Sequence, residues 1–408
     1  MSYGQMAVDY ELRIDFPRLR ADRLAKSKQA LKDSGLGALV CFDADNIRYV
    51  TSATIGEWAR DKLQRYCILP KDEDPILFDI GARVASHLQP RGAPWLKGRV
   101  KPAVSWGRGT IPKVTRNAEK CAAIIKKTLA EYGLEKEPVG FDLIDPIIMK
   151  ALQDAGIQIE DGQTPMLEAR LIKTDDEIEL LEMSAMIVDN MYYQLAQNIR
   201  PGVTENELKG IAYKALYSMG ADWVANVNSI SGPRTNPHHH DATDRRLRPS
   251  DIVFFDVVSS FCGYCTCYYR TFCVGKPNEK QKELYAQCLK WLNDSIAIVK
   301  PGVTSADIAK VWPGPEVLGF ESEDEAFANQ FGHGIGMNNW ELPVITKAIS
   351  LEYPYPIQEN MVFALETYSG KKGEEFGIRL EEEVVVTSSG SRLITKFPID
   401  ELIACPIL

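Results

Sequence analysis

The sequence predicts two domains: an α/β domain over residues 1–170, then an α+β domain over residues 171–408 assembled from two similar halves. Three observations carry this. A chain of 408 residues exceeds what one hydrophobic core ordinarily covers. Short apolar runs alternate with helical stretches through the first part, the pattern of strands and helices laid on one sheet. In the second part Pro-Gly-Val-Thr occurs twice, at 201–204 and 301–304, each time after an apolar helical segment and before another helix.

The elements follow in order. PRLRADRLAKSKQALKDSG (17–35) carries apolar residues at helical spacing and stops at a glycine, and GALVCF after it reads as a strand. YCIL (66–69), PILFDI (75–80) and VGFD (139–142) are further strands, with helical stretches such as AEKCAAIIKKTLAEYG between them. A long charged helix is expected to begin near Asp175, just past the domain boundary. In NIRPGVTENELKGIA and IVKPGVTSADIAKVW, Thr204 and Thr304 are the expected N-caps, with Glu207 and Asp307 three residues on. Pro-Gly with a capping threonine is a common loop-to-helix device, but here the flanking patterns agree as well.

Composition narrows the partners. With 45% hydrophobic and 25% charged residues and a net charge of −9, the chain reads as a globular protein with no basic stripe, so nucleic acid is not an expected partner. No apolar run approaches the roughly eighteen residues of a membrane span, and the first residues lack an export pattern. Nine cysteines, an odd number scattered among buried-looking segments, point to free thiols in a reducing cytoplasm.

Four polar residues interrupt segments that should be apolar: Asp256 in IVFFDVV, Glu366 in MVFALE, Glu381 in GIRLEEEVVVT, and His333 between glycines in FGHGIG. An ionised carboxylate buried without a partner costs several kcal/mol or more. Three of them plus an imidazole call for a cation, and this donor set fits one or two divalent transition ions such as Mn, Fe, Co or Zn. Singly, each has a bland reading. Asp256 could pair with Arg270 or Arg379, Glu366 could end a strand, and one or two of Glu381, Glu382 and Glu383 could face water. Together they indicate a shared site. In SISGPRTNPHHHDATD, a histidine among His238–His240 could move protons near neutral pH, or simply belong to a solvated turn. FGHGIG lacks the spacing and lysine of a phosphate loop; its small residues let backbone pass close to His333.

RLIKTDDEIELL, PGVTENEL, SGPRTNPHHH, PSDIVFFD, GYCTCYYRT, GHGIG, ENMVFALE and GIRLEEEVVVT, in this order and spacing, resemble the pita-bread metallohydrolases: methionine aminopeptidase, aminopeptidase P, prolidase and creatinase. The resemblance covers most of the chain. It implies a creatinase-type N-terminal domain and a pita-bread catalytic domain with an internal pseudo-two-fold. It makes Asp256, His333, Glu366 and Glu381 metal ligands, Glu381 being chosen because it follows Gly-Ile-Arg-Leu. It makes His239, seventeen residues before Asp256, a proton-relay histidine. Arg379 would buttress the carboxylates, and Glu366 or His239 would shuttle protons.

Two departures stand out. The family's second aspartate, eleven residues after the first, is here Cys267, a ligand with one donor atom, which puts a two-ion centre in doubt. The family's second histidine in H-G-I-G-x-x-x-H-E-x-P is here Trp340. A pocket lined by Trp340, His240 and Arg234 suits a small or cationic substrate better than a peptide. Cys262, Cys265 and Cys273 are read as hairpin residues, since the gaps fit no common structural-zinc spacing and no helix start offers a redox setting.

The resemblance implies a metal-dependent hydrolase of a C–N bond in a small or dipeptide-like molecule, with a homodimer expected. Trp58 and Arg60 would reach a neighbouring subunit, or lie on an ordinary surface. Two other readings are kept. One is a lyase that cleaves dimethylsulfoniopropionate by β-elimination, although that branch has acidic residues where Val258, Asn338 and Asn339 stand. The other is a binding protein that kept the fold without the chemistry.

Overall fold

The computed structural model describes residues 14–54, 56, 60, 63, 65–104, 106, 110–326 and 329–407. Trp58 lies outside them. The chain divides into two compact units, Asp15–Arg170 and Leu171–Leu408.

The first unit is α/β. Its strands are β1 (Ala38–Cys41), β2 (Tyr66–Pro70), β3 (Ile76–Asp79), β4 (Val100–Pro102), β5 (Val139–Phe141) and β6 (Ile159–Asp161). They form one sheet in the order β4-β3-β2-β1-β5-β6. The helix Phe16–Ser34 starts on the side chain of Asp15 and ends where Gly35 takes a left-handed φ of 72°. The apolar runs of the sequence become β1, β2, β3 and β5, whose residues are almost all buried; β4 and β6 lie at the sheet edges, largely exposed, and so carried no apolar signal. Arg60 makes an ion pair with Asp45 at 2.6 Å within this unit.

Among the described residues the second unit has nine strands: β7 (Trp223–Ser231), β8 (Ile252–Phe261), β9 (Tyr264–Val274), β10 (Gln330–Gly334), β11 (Glu341–Ile345), β12 (Val362–Ser369), β13 (Ile378–Val386), β14 (Ser391–Leu393) and β15 (Ile403–Cys405). They make two sheets, β15-β9-β8-β7 and β11-β10-β12-β13-β14. Helix Asp175–Ala196 covers the first sheet, where the Tyr192 hydroxyl reaches the carbonyls of Phe255 and Tyr268. Helix Glu279–Ala297 covers the second, packing Leu284, Cys288 and Leu292 with Phe363, Leu365 and Leu380. Hydrogen bonds from Thr266, Cys267 and Thr271 to Glu383 and the Arg379 carbonyl join the two sheets on their other faces.

The repeated Pro-Gly-Val-Thr builds the same device twice. Gly202 and Gly302 have φ of 88° and 92°. Thr204 and Thr304 each form a full capping box, with Glu207 and Asp307, at the start of helices Glu205–Ser218 and Ser305–Lys310. Thr204 then bridges to Arg246 and Thr304 to Pro356. The unit is thus two similar halves, each contributing a helix pair and a sheet.

Candidate metal centre

Register decides which side chains meet, because residues two apart on a strand share a face. On β12 and β13, Glu366 pairs with Glu381, Ala364 with Glu383 and Tyr368 with Arg379. On β10, Phe331 pairs with Glu366 and His333 with Ala364. One face of this sheet therefore carries His333, Glu366, Glu381, Glu383 and Arg379. On the other sheet Asp256 pairs with Tyr269 and Val258 with Cys267, so Asp256, Tyr269 and Cys267 share a face.

Cys267 Sγ, His333 Nε2 or Nδ1 and a Glu381 carboxylate oxygen all lie within 4.8 Å of one another, and all three residues are buried. His333 Nε2 is 3.8 Å from Glu381 Oε1, and Cys267 Sγ is 3.7 Å from Asp256 Oδ1. His333 Nδ1 lies 3.2 Å from the Gly334 carbonyl; as donor there it leaves the Nε2 lone pair facing the cluster. Gly334 sits at a β-bulge, and a Cβ on it would lie 2.0 Å from the Leu342 carbonyl oxygen, so only glycine lets β11 approach this closely.

The carboxylates are treated unequally. Glu366 is paired with Arg379, whose guanidinium also lies 4.6 Å over the Tyr269 ring. Half-buried Asp256 accepts from Asn228 at 3.2 Å and pairs in register with Tyr269 on the neighbouring strand. Neither oxygen of Glu381 has a hydrogen-bond donor among the described residues. Burial, followed by the charge of Glu366, pushes the Asp256 carboxyl up to about 6. Burial and the neighbouring charges of Glu366 and Asp256 hold Glu381 well above the usual carboxylate range, and burial with the same acids raises the Cys267 thiol. Burial lowers His333. The protein alone thus disfavours the ionised, ligating forms of the acids and the thiol while keeping His333 in its neutral, ligating form, which is the electrostatics of a pocket shaped for a cation. Sulfur, imidazole and carboxylate donors converging around two orphaned carboxylate oxygens fit a divalent transition ion.

The structure corrects several expectations. Neither Arg270 nor Arg379 pairs with Asp256: Arg270 pairs with Glu382 and Arg379 with Glu366. Glu382 and Glu383 do not face water. Both faces of β13 are covered, so Glu382 is buried on Arg270 and Thr395, and Glu383 accepts from Thr266 and from the Cys267 amide at 2.6 Å. The Arg234 guanidinium is held by Glu205, Thr243 and the Asp241 carbonyl. His239 is exposed, with its amide bonded to the Arg234 carbonyl, and His240 is exposed too. His238 turns inward instead. It stacks on Phe254 at 5.0 Å, meets Tyr269 edge-on at 6.0 Å, and its Nε2 is buried without a hydrogen-bond partner among the described residues. Burial and the Arg379 charge push it down to about 2. The loop backbone, not the count of residues to Asp256, decides which histidine faces inward.

Trp340 lies parallel to the His333 ring, at 5.3 Å and 2°, and remains 53% exposed. It covers one face of that imidazole and offers its other side outward. Sequence reasoning missed Glu383, which fixes the backbone of Cys267, and Tyr269, which stands in register with Asp256 and lies under the Arg379 guanidinium. The two-residue spacing from Glu381 and from Cys267 was the available signal for each. Asn228 on β7 carried none.

Two facing sheets of this topology, with a buried acid, thiol and imidazole cluster between them, form a pita-bread fold. Residues 179–388 match metallopeptidase family M24. The chain belongs to that family. A dimethylsulfoniopropionate lyase DddP of Roseovarius nubinhibens is 24% identical, over 98% of this chain and 91% of its own length. A Xaa-Pro dipeptidase of Pyrococcus horikoshii is 30% identical, over 66% of this chain and 74% of its own. In fold the chain is similar to a prolidase from Thermococcus sibiricus, with a TM-score of 0.77 and 22% identity, covering 94% of this chain and 99% of that one.

Proposed function

We propose that this chain is a metal-dependent hydrolase of a C–N bond in a small, dipeptide-sized molecule. The observation that carries this is Glu381, a buried carboxylate with no hydrogen-bond donor on either oxygen among the described residues, beside the Cys267 thiol and the His333 ring. Asp256, Cys267, His333 and Glu381, with Glu366 adjacent, would hold the ion. A divalent ion there supplies Lewis-acid polarisation of the bond to be broken. Arg379 fixes the Glu366 carboxylate on the cluster face, where it is placed to accept or return a proton. Trp340, in the place of a family histidine, narrows the mouth over His333 and favours a small substrate over an extended peptide. The neutral His238 ring meets Tyr269 edge-on, and its buried Nε2 has no hydrogen-bond partner among the described residues.

Cys41, Cys67, Cys121, Cys267, Cys273, Cys288 and Cys405 are buried free thiols, in keeping with a reducing cytoplasm. A homodimer belongs to the same reading, and light scattering measures it.

The second reading, the lyase, is favoured by one observation: the similarity to a dimethylsulfoniopropionate lyase runs over 98% of the chain. The outward face of Trp340 would also accept a sulfonium cation. One assay separates the two. After reconstitution with Mn, Fe, Co or Zn, hydrolysis of dipeptides or small amides is expected. Acrylate release from dimethylsulfoniopropionate without hydrolysis selects the lyase, and no turnover with any ion overturns both.

A further inference from the structure

We propose that Asp256, Cys267, His333 and Glu381 hold a single thiolate-ligated ion of the thiophilic kind, zinc, cobalt or iron rather than manganese or magnesium, with Glu366 kept out of its shell by Arg379. This rests on the metal-dependent reading above and commits it to an ion number, an ion class and a ligand set.

Three features carry it. First, the spacing suits one ion. Bonds of about 2.3 Å to sulfur and 2.0–2.2 Å to nitrogen and oxygen in a tetrahedron put neighbouring ligand atoms about 3.4–3.6 Å apart. Donor atoms of Cys267, His333 and Glu381 lie within 4.8 Å of one another, with His333 Nε2 to Glu381 Oε1 at 3.8 Å; Asp256 Oδ1, 3.7 Å from the sulfur, lies outside that mutual distance and joins the shell from the Cys267 side by a side-chain shift. Second, carboxylate oxygens are few for two ions. Cys267 brings one sulfur atom to the cluster and Glu366 is engaged by Arg379 on the same sheet face, which leaves Asp256 and Glu381 as the carboxylates beside the ion. Third, the sulfur is held in place. The Cys267 amide donates to Glu383 at 2.6 Å, and the neighbouring Thr266 hydroxyl donates to the same carboxylate at 3.0 Å. That buried anchor positions the ligand strand as outer-shell groups do at metal sites. Sulfur ligation then selects among ions, because thiolates favour zinc, cobalt and iron over the hard, oxygen-seeking ions.

The test loads the metal-stripped full chain with Co²⁺ and reads stoichiometry and absorption. One ion per chain with a sulfur-to-cobalt charge-transfer band in the near ultraviolet is expected, and Mn²⁺ in excess should not abolish the band. Cys267→Ser should lose the band. Cys267→Asp should lose it too, yet keep an ion, which guards against misfolding of the serine variant. Glu366→Gln should keep both ion and band. Two ions per chain, a band surviving in Cys267→Ser, or loss of the ion in Glu366→Gln overturns the proposal. One ion with the band but no turnover of any amide supports this ligand set while overturning the hydrolase. Turnover by a band-free protein overturns the ligand set while supporting the hydrolase.

Discussion

Glu366 and Glu381 stand directly opposite each other on β12 and β13, yet Arg379 pairs with Glu366 and leaves both oxygens of Glu381 without a hydrogen-bond donor among the described residues. Two like charges in register repel. One is paired by the protein, while burial and the neighbouring acids disfavour the ionised form of the other.

Glu381→Gln should therefore act in opposite directions with and without metal. The folded-state carboxyl is raised above its ordinary value, so its contribution to stability falls as pH rises through that ordinary value. Removing it should raise the melting temperature of the metal-free protein at neutral pH, by roughly 2–4 °C per kcal/mol relieved. The same substitution should abolish the further rise that added ion gives the wild type. Calorimetry with and without ion measures both.

Arg379→Met should lower unfolding stability by about 3–5 kcal/mol, since it strands the buried Glu366 and removes a cation from the Tyr269 face. Adding Glu366→Leu should restore much of the loss. Equilibrium urea unfolding of the two variants decides this.

His238 sets a pH dependence. Its folded pKa is depressed to about 2 against an unfolded value near 6.5. The unfolded chain thus binds a proton that the folded chain refuses. The stability this group contributes is full above about pH 6.5 and is lost as pH falls from there towards 2. Between pH 7.5 and 5, His238→Phe should lose less melting temperature than the wild type, and His239→Phe, at an exposed position, should follow the wild type.

Trp340→Ala should leave folding and ion content nearly unchanged, because the indole is 53% exposed. Its effect should fall on substrate binding, with KM rising about tenfold, about 1.4 kcal/mol, and kcat changing less. Steady-state kinetics on the substrate found in the assay above gives the answer.

Gly334→Ala should be among the most damaging single-atom-scale changes, since its Cβ would meet the Leu342 carbonyl at 2.0 Å beside His333. A loss of at least about 1–3 kcal/mol is expected, together with weaker ion binding, as read by unfolding and metal titration.

Much of the fold was legible in the sequence. Helix Phe16–Ser34, the strands around Val40, Ile68, Leu77 and Gly140, and the twin capping boxes at Thr204 and Thr304 all follow from local periodicity and end signals. At the centre, Asp256, His333, Glu366 and Glu381 stood out because each interrupts an apolar strand. Glu382 and Glu383 were misread for the same reason: alternation marks one face as wet only when one face is wet, and β13 is covered on both.

By itself the chain order determined which residue types are available: a thiol at 267 where its family has a carboxylate, an indole at 340, and acids set into strands that must be buried. Tertiary structure decided how they are shared. It gave Arg379 to Glu366, Arg270 to Glu382 and the Cys267 amide to Glu383, and it turned His238 inward in place of His239. Those choices depend on strand register and sheet-to-sheet approach between residues as far apart as 267 and 383, and local spacing carries no record of either.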